Sequence, residues 1–344
     1  MRILIVSDAW FPQVNGVVRT LNAVVGELRR AGHEVLLITP EGREGFPFPL
    51  YREITITRTN AKAIGHEIDA LKPEAIHIAT EGTLGWAARR ACLKRELPFT
   101  TSFHTMFAEY ASARLPLPGV AALGWKILHH FHKHGKAVMV PTRSIGEQLE
   151  RRKFGNVKTW SRGVDRAIFK PYPRNHMDLP RPILLYAGRL AVEKGIDDFL
   201  NLTCPGTKVL MGDGPEREAL EKKYPQAKFL GFRHGEDLAR TFASADVMVF
   251  PSRTDTFGLV MLEAMACGTP IAAFNVPSPV DVVTEGVTGC LDADLNKAVS
   301  RALLLNRAEV ERASHAYSWE RTAEMFFSWL SPISTPPAES LAKA

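Results

Sequence analysis

Cysteine is scarce. Cys92, Cys204, Cys267 and Cys290 lie far apart and form no CxxC pair. That argues against a disulfide framework and a thiolate zinc site, and scattered thiols suit a reducing compartment. Long apolar runs are missing too: no stretch approaches the roughly 18–20 residues of a membrane-spanning helix. The opening MRILIVSDAW holds only the short run Ile3–Val6 before Ser7 and Asp8, so it reads as a first strand rather than a secretory leader. No short repeat is visible. With 45% hydrophobic and 23% charged residues, disordered, collagen-like and coiled-coil classes are excluded.

What is present points to two folded units. A chain of 344 residues is long enough for two domains, each with its own core. Its formal net charge of +6 is unevenly spread. Residues 1–170 carry 25 basic and 15 acidic residues, and residues 171–344 carry 18 and 22. The N-terminal half therefore has the field that draws anions: phosphates, nucleic acid or an acidic membrane surface.

Short apolar runs alternate with longer amphipathic stretches. Ile3–Val6, Val35–Thr39, Ala75–Ile78, Phe99–Phe103 and Ala137–Val140 read as buried strands, with helices over 17–31, 61–71, 84–96, 119–134 and 143–153. This alternation predicts a parallel, doubly wound α/β sheet. Four prolines in KPYPRNHMDLPRP (170–182) interrupt it. It then restarts with strands Ile183–Ala187, Lys208–Met211, Lys228–Leu230, Val247–Phe250 and Ile271–Phe274, and helices near 194–202, 215–223, 236–244 and 259–267. The expected architecture is two Rossmann-like domains, 1–168 and 169–317, facing across a cleft. Open α/β sheets bind ligands at the carboxyl ends of their strands, so both would frame one site. A late amphipathic helix is expected at Trp319–Leu330, and a disordered tail over 331–344.

The densest chemistry lies in FPSRTDTFGLVMLEAMACGTP (250–270). A strand ends at Phe250 and a helix follows from Leu259. The amides of Phe257, Gly258 and Leu259 have no intrahelical partners and can bind a diphosphate, and Gly258 lets a ligand approach the backbone. Asp255 and Glu263 suit sugar hydroxyls, because carboxylates accept strong, oriented bonds. On spacing alone, Asp255 reads equally as a carboxylate favoured by the helix dipole and Glu263 as a solvated helix face. Arg189 and Lys194, in GRLAVEKG, offer the positive charge that a leaving diphosphate needs, and on this segment alone read equally as surface charge. Gly212 opens a GxG turn without the full dinucleotide fingerprint. Asp292 and Asp294 read as helix capping, not metal ligation.

In the first half, Gly16 lies between the first strand and helix, where a ligand can reach the helix amides. His104 follows strand Phe99–Phe103 at the sheet's carboxyl end. Residues 119–136 (GVAALGWKILHHFHKHGK) read as an amphipathic helix with a basic end. Four histidines there hint at metal, but no carboxylate interrupts HHFHKH, so no metal site is expected. A basic helix bearing Trp125 and Phe131 beside Lys126 and Lys133 suits an anionic membrane surface, and reads at least as well as a core helix with a solvated basic end. No nucleic-acid recognition motif accompanies the basic half.

Together, SDAWFPQVNGVVRT, SFHT, SRGVDRAIFKP (161–171), YAGRLAVEKG (186–195), GDGPER (212–217) and DTFGLVMLEAMACGTP resemble the retaining glycosyltransferases of family 4, which have the GT-B fold. The likeness runs from Met1 to about Leu330, in the family's order and spacing. The family's usual Glu-x7-Glu begins here with Asp255, and TDTFG with SRGVD is similar to the subgroup of sulfoquinovosyl diacylglycerol synthases and bacterial lipid mannosyltransferases.

The resemblance implies roles. Arg189 and Lys194 would grip the diphosphate, Glu263 the ribose and Asp255 the donor sugar. Gly16 would approach the diphosphate from the other domain, and His104 would touch the sugar near the reacting carbon. The helix in 318–330 would return to the first domain. No metal or other cofactor is implied. The expected function is retaining transfer of a hexose or hexuronic acid from a nucleotide sugar, UDP-linked by preference, to a membrane lipid such as diacylglycerol. The expected location is the cytoplasmic face of the cell membrane. A GDP-mannose-dependent enzyme acting on a lipid is the rival reading, and a nucleotide-sugar epimerase the alternative of another class.

Overall fold

A computed structural model describes residues 1–13, 15–48, 51–114 and 117–333. The first half runs β1 (Arg2–Val6), α1 (Gly16–Arg30), β2 (Glu34–Ile38), β3 (Gly45–Phe48), β4 (Tyr51–Thr57), α2 (Ala61–Leu71), β5 (Ala75–Ile78), α3 (Thr83–Lys94), β6 (Thr100–Ser102), α4 (Phe107–Arg114), α5 (Val120–His132), β7 (Val138–Val140), α6 (Arg143–Arg151) and β8 (Val157–Thr159). The second half runs β9 (Ile183–Ala187), α7 (Ile196–Leu200), β10 (Thr207–Met211), α8 (Arg217–Lys223), β11 (Lys228–Phe229), α9 (Gly235–Ser244), β12 (Val247–Phe250), α10 (Leu259–Ala266), β13 (Ile271–Phe274), α11 (Pro279–Val282), β14 (Gly289–Asp292), α12 (Leu295–Ala302), α13 (Arg307–Ala313) and α14 (Trp319–Ser328).

Two six-stranded sheets result, with orders β2-β1-β5-β6-β7-β8 and β11-β10-β9-β12-β13-β14. Every pairing between their strands is parallel. Parallel strands are covered by helices on both faces, which is why their sequences are nearly continuous in apolar residues. Ile3, Leu4, Ile5 and Val6 of β1, like Ile183, Leu184 and Leu185 of β9, are fully buried. The order of each sheet reverses once, between β1 and β5 and between β9 and β12. Ligand crevices form at such points, and the loops after β1, β9 and β12 carry Gly16, Arg189 and Asp255.

Several elements were not legible. Gly45–Phe48 contains a proline, yet it pairs antiparallel with β4 in a separate hairpin. The apolar residues of α4 (FAEYASAR) follow neither the helical nor the strand period. Strands β8 and β14 are short, at the sheet edges, with few apolar residues. The helix expected near 194–202 is a 3₁₀ turn at Val192–Lys194, a break at left-handed Gly195, and then α7.

Helix α14 packs against α1 and enters the first sheet's core. Phe326 is fully buried, with its ring 5.1 Å from Trp160 and 4.7 Å from His77. Burial of such a ring contributes about 1.5–3 kcal/mol. Where α14 begins, the chain passes so close to Gly163 that a Cβ there would lie 2.3 Å from the Trp319 nitrogen. The disordered tail expected over 331–344 is corrected at its start: Pro332 bridges to Ala75, and the Ile333 amide donates to the Glu74 carbonyl at 2.7 Å. Residues 334–344 lie outside the described residues.

Candidate active site in the interdomain cleft

Strand β12 delivers the loop Pro251–Phe257, and Gly258 turns it into α10. Its φ of +79° is left-handed, and an added Cβ would meet the Phe250 ring at 2.7 Å. Only glycine fits this turn, which leaves the first amides of α10 without intrahelical partners. Across the cleft, α1 begins at Gly16, where an added Cβ would lie 3.6 Å from Leu259 Cδ1. The N-termini of α1 and α10 therefore face each other. Asn15 caps α1, its Oδ1 accepting from the Val17 and Val18 amides at 3.0 Å each.

Glu263, in the second turn of α10, is buried, not on a solvated face. One carboxylate oxygen accepts from the Arg19 guanidinium of α1. The other, Oε2, is buried without a hydrogen-bond partner among the described residues. Burial holds this carboxyl above its ordinary range, although Arg19 opposes the shift. An unpartnered buried acceptor is costly, and a hydroxyl donor would satisfy Oε2.

Asp255 binds the Lys194 ammonium and accepts from the Tyr110 hydroxyl at 3.3 Å. Tyr110 comes from α4, in the first half of the chain, and Lys194 lies 5.8 Å from its ring centre. Burial lowers the affinity of Lys194 for its proton, but Asp255, Tyr110 and Tyr186 outweigh it and hold the ammonium charged. Arg189 sits half-buried on the loop after β9, its carbonyl accepting from the Tyr186 hydroxyl at 2.7 Å. Gly212 lies against this loop: a Cβ there would fall 2.0 Å from the Gly188 carbonyl oxygen. Phe257 is buried.

His104, just beyond β6, is also buried. Its carbonyl accepts from the Thr256 hydroxyl at 2.6 Å, which joins the loop after β6 to the loop after β12. Arg162 donates to His104 Nδ1 at 3.3 Å. A second bridge between the halves lies nearby. Asp281 of α11 accepts from the Ser144 amide at 3.1 Å and from its hydroxyl, so it caps the N-terminus of α6.

The structure thus gathers Gly16, Arg189, Lys194, Gly212, Asp255, Phe257, Gly258, Leu259, Glu263 and His104 on facing loops and helix ends. Sequence reasoning missed Arg19, Tyr110 and Arg162. Arg19 lies three residues after Gly16 on one helix face, a spacing that was a usable signal. Tyr110 sits in a segment without periodicity and gave none. Asp294 caps α12 by accepting from the Asn296 amide at 2.9 Å, as expected.

The membrane-facing residues need correction. Phe131 is fully buried in the first domain's core, because it falls on the inner face of α5. Trp125 is half-buried: it stacks on Phe103 at 5.9 Å, lies under Arg152 at 4.1 Å and donates to Glu109 at 3.1 Å. The exposed face of α5 carries Leu123, Ile127, Lys126 and the C-cap Lys133 instead, with Leu117 exposed just before the helix. Among the described residues, no helix is long and apolar enough to cross a membrane.

Comparison with known proteins agrees with this layout. The family model for Glycosyltransferase Family 4 matches residues 14–167, and that for Glycosyl transferases group 1 matches residues 181–305. A GDP-mannose-dependent alpha-mannosyltransferase of Mycolicibacterium smegmatis is 32% identical, aligned over 85% of this chain and 84% of its own. The sulfoquinovosyl transferase SQD2 of Arabidopsis thaliana is 29% identical over 84% of this chain and 62% of its own. A GDP-mannose-dependent alpha-(1-6)-phosphatidylinositol dimannoside mannosyltransferase of Mycobacterium tuberculosis is 28% identical over 94% of both. Among solved structures, a sucrose-phosphate synthase from Thermosynechococcus elongatus has the same fold, with a TM-score of 0.75 at 20% identity, covering 95% of this chain and 97% of that one. With each half matched by its own family model and a relative at 32% identity along most of both chains, this protein belongs to the family 4 glycosyltransferases and has their GT-B fold.

Proposed function

We propose that the cleft binds a nucleotide diphosphate sugar and transfers its hexosyl group, with retention, to a hydroxyl of a membrane lipid. The observation that carries this reading is the buried Glu263 Oε2, without a partner among the described residues, on the helix that follows the loop where Asp255 pairs with Lys194. In this reading Glu263 takes the ribose and the Arg189–Lys194 loop takes the diphosphate. Asp255 and His104 meet the sugar.

The chemistry follows as a front-face displacement. The bond from the anomeric carbon to the diphosphate oxygen breaks, and the acceptor oxygen bonds the same face. The acceptor's proton passes to the departing phosphate oxygen. No strong protein base is required, so the protein contributes position and charge. Leaving-group charge falls to Arg189, Lys194 and the first amides of α10 rather than to a metal ion, so chelator should leave turnover unchanged.

The likenesses reorder the two donors without excluding either. GDP-mannose is favoured by two of the relatives named above. A UDP-sugar with diacylglycerol is the second reading, resting on the likeness of TDTFG and SRGVD to the sulfoquinovosyl diacylglycerol synthases, a group to which the match with a sulfoquinovosyl transferase also points. A lipid acceptor is supported by the phosphatidylinositol dimannoside enzyme and by the exposed face of α5. There Leu123 and Ile127 would enter the lipid while Lys126 and Lys133 meet anionic headgroups, each adding about 1 kcal/mol near the surface. The enzyme would then work as a peripheral protein on the cytoplasmic face. Incubation with lipid extract and radiolabelled GDP-mannose or UDP-sugars, followed by organic extraction, tests the proposal. Label in the lipid phase identifies donor and acceptor. Label confined to water-soluble products would refute the lipid acceptor.

A further inference from the structure

Arg162 is an unusual residue to find inside a protein. Its guanidinium is buried, and its contacts among the described residues contain no carboxylate. Nη1 donates to the Trp160 and Ser161 carbonyls at 3.0 and 3.1 Å. Its central carbon lies 4.3 Å from the Trp160 ring centre and 5.8 Å from that of Phe257. Nη2 donates to His104 Nδ1 at 3.3 Å. Burying a guanidinium without a counter-charge is expensive, so what the arrangement achieves is the question.

A guanidinium can only donate. The atom that receives its hydrogen bond must carry a lone pair, so Nδ1 bears no proton. A neutral imidazole has one N–H, and that proton must lie on Nε2. Nε2 is buried and has no hydrogen-bond partner among the described residues. We infer that Arg162 is a positioning residue that fixes His104 as a neutral ring with its proton on Nε2, aimed to donate to an oxygen of the bound sugar. This rests on the donor site proposed above and deepens it. His104 supplies a hydrogen bond to the sugar and accepts no proton from the acceptor hydroxyl.

The surroundings agree. The charged and titratable groups facing His104 are Arg162 after β8, His77 on β5 and His132 on α5. Burial first, then Arg162, then these two histidines keep the ring well below its ordinary basicity. Burial lowers the Arg162 guanidinium only to about 9, so it stays charged at neutral pH. His132 bonds Thr101 at 2.8 Å and Glu81 at 3.1 Å. His77 bonds Thr100 and Ser102 at 2.9 Å each. His104 alone of these three buried rings keeps a nitrogen for a ligand.

The test is a nitrogen spectrum of the whole protein labelled with ¹⁵N-histidine, its His104 signals identified by their loss in H104Q. The expected wild-type spectrum has Nδ1 unprotonated and Nε2 protonated, unchanged across about pH 6–8, where ordinary histidines titrate. In R162M the proton should spread to Nδ1, and with burial and the two histidines still acting the ring should protonate at a higher pH than in the wild type without reaching ordinary histidine behaviour. Turnover should fall about tenfold, the value of one hydrogen bond, and more steeply on the acid side, with KM less affected. R162K, which keeps a charged donor, should recover part of that loss. H104Q, whose amide N–H can stand in for Nε2–H, should exceed H104L in turnover. A protonated Nδ1 in the wild type, or an R162M pH profile parallel to wild type, would overturn the inference. If R162M does not fold, the wild-type spectrum and the R162K profile decide. The spectrum reads the tautomer even if no sugar is transferred, so failure of the donor site and failure of this inference remain distinct.

Discussion

Strands β1 and β9 occupy the same position, each where its sheet reverses order, yet the loops that leave them carry different chemistry. The loop after β9 brings Arg189 and Lys194 to the cleft. The loop after β1 carries Asp8, whose carboxylate is already used: it accepts from the Leu84 and Gly85 amides at 2.8 and 3.1 Å and from the Thr80 hydroxyl at 3.0 Å, capping α3. Beyond Asp8 that loop shows an exposed Phe11. One switch point thus carries cations, Lys194 paired with Asp255, and the other spends its carboxylate on a helix cap and is partly apolar. In the proposed reading the same architecture divides its labour, the second sheet taking the nucleotide sugar and the first the acceptor.

Substitutions can break this comparison. The largest effect is expected from Phe326→Ala, which opens a cavity where α14 fills the first domain's core. It should cost roughly 3–5 kcal/mol, read by denaturant unfolding. A smaller loss would mean that α14 is an appendage rather than part of that core. Arg189→Ala should act oppositely, leaving the unfolding midpoint nearly unchanged while lowering kcat by about 10²–10³, if it stabilises leaving-group charge as an oxyanion donor does. Near-normal turnover in both Arg189→Ala and Lys194→Ala would remove the anion role of the second sheet. Asp281→Ala, which deletes the α6 cap supplied across the cleft, should cost about 0.5–2 kcal/mol, detectable as a lowered Tm. The finest comparison is on α5. Leu123→Asp combined with Ile127→Asp should weaken binding to anionic vesicles without changing Tm. Binding that ignores both the substitution and added salt would contradict the proposed membrane face.

The second half was the more legible because its apolar strands, its Gly258 turn and its charged loop groups follow one another closely in the sequence. The carboxylates there could be named, but not their state. Only the fold shows that Glu263 is buried and bound to Arg19, a partner 244 residues away. In the first half, composition misled. Trp125 and Phe131 are the residues a membrane helix would favour, but helix phase turns Phe131 inward and a stack on Phe103 engages Trp125, leaving Leu123 and Ile127 outside. Tyr110 and Arg162 act through tertiary contacts that no local pattern encodes.

The central claim is that the two facing helix ends hold a nucleotide diphosphate. The most direct measurement is a crystal structure after soaking with GDP or UDP. The diphosphate is expected on Arg189, Lys194 and the first amides of α10, with a ribose hydroxyl on Glu263 Oε2. A nucleotide bound elsewhere, with these groups untouched, would contradict it.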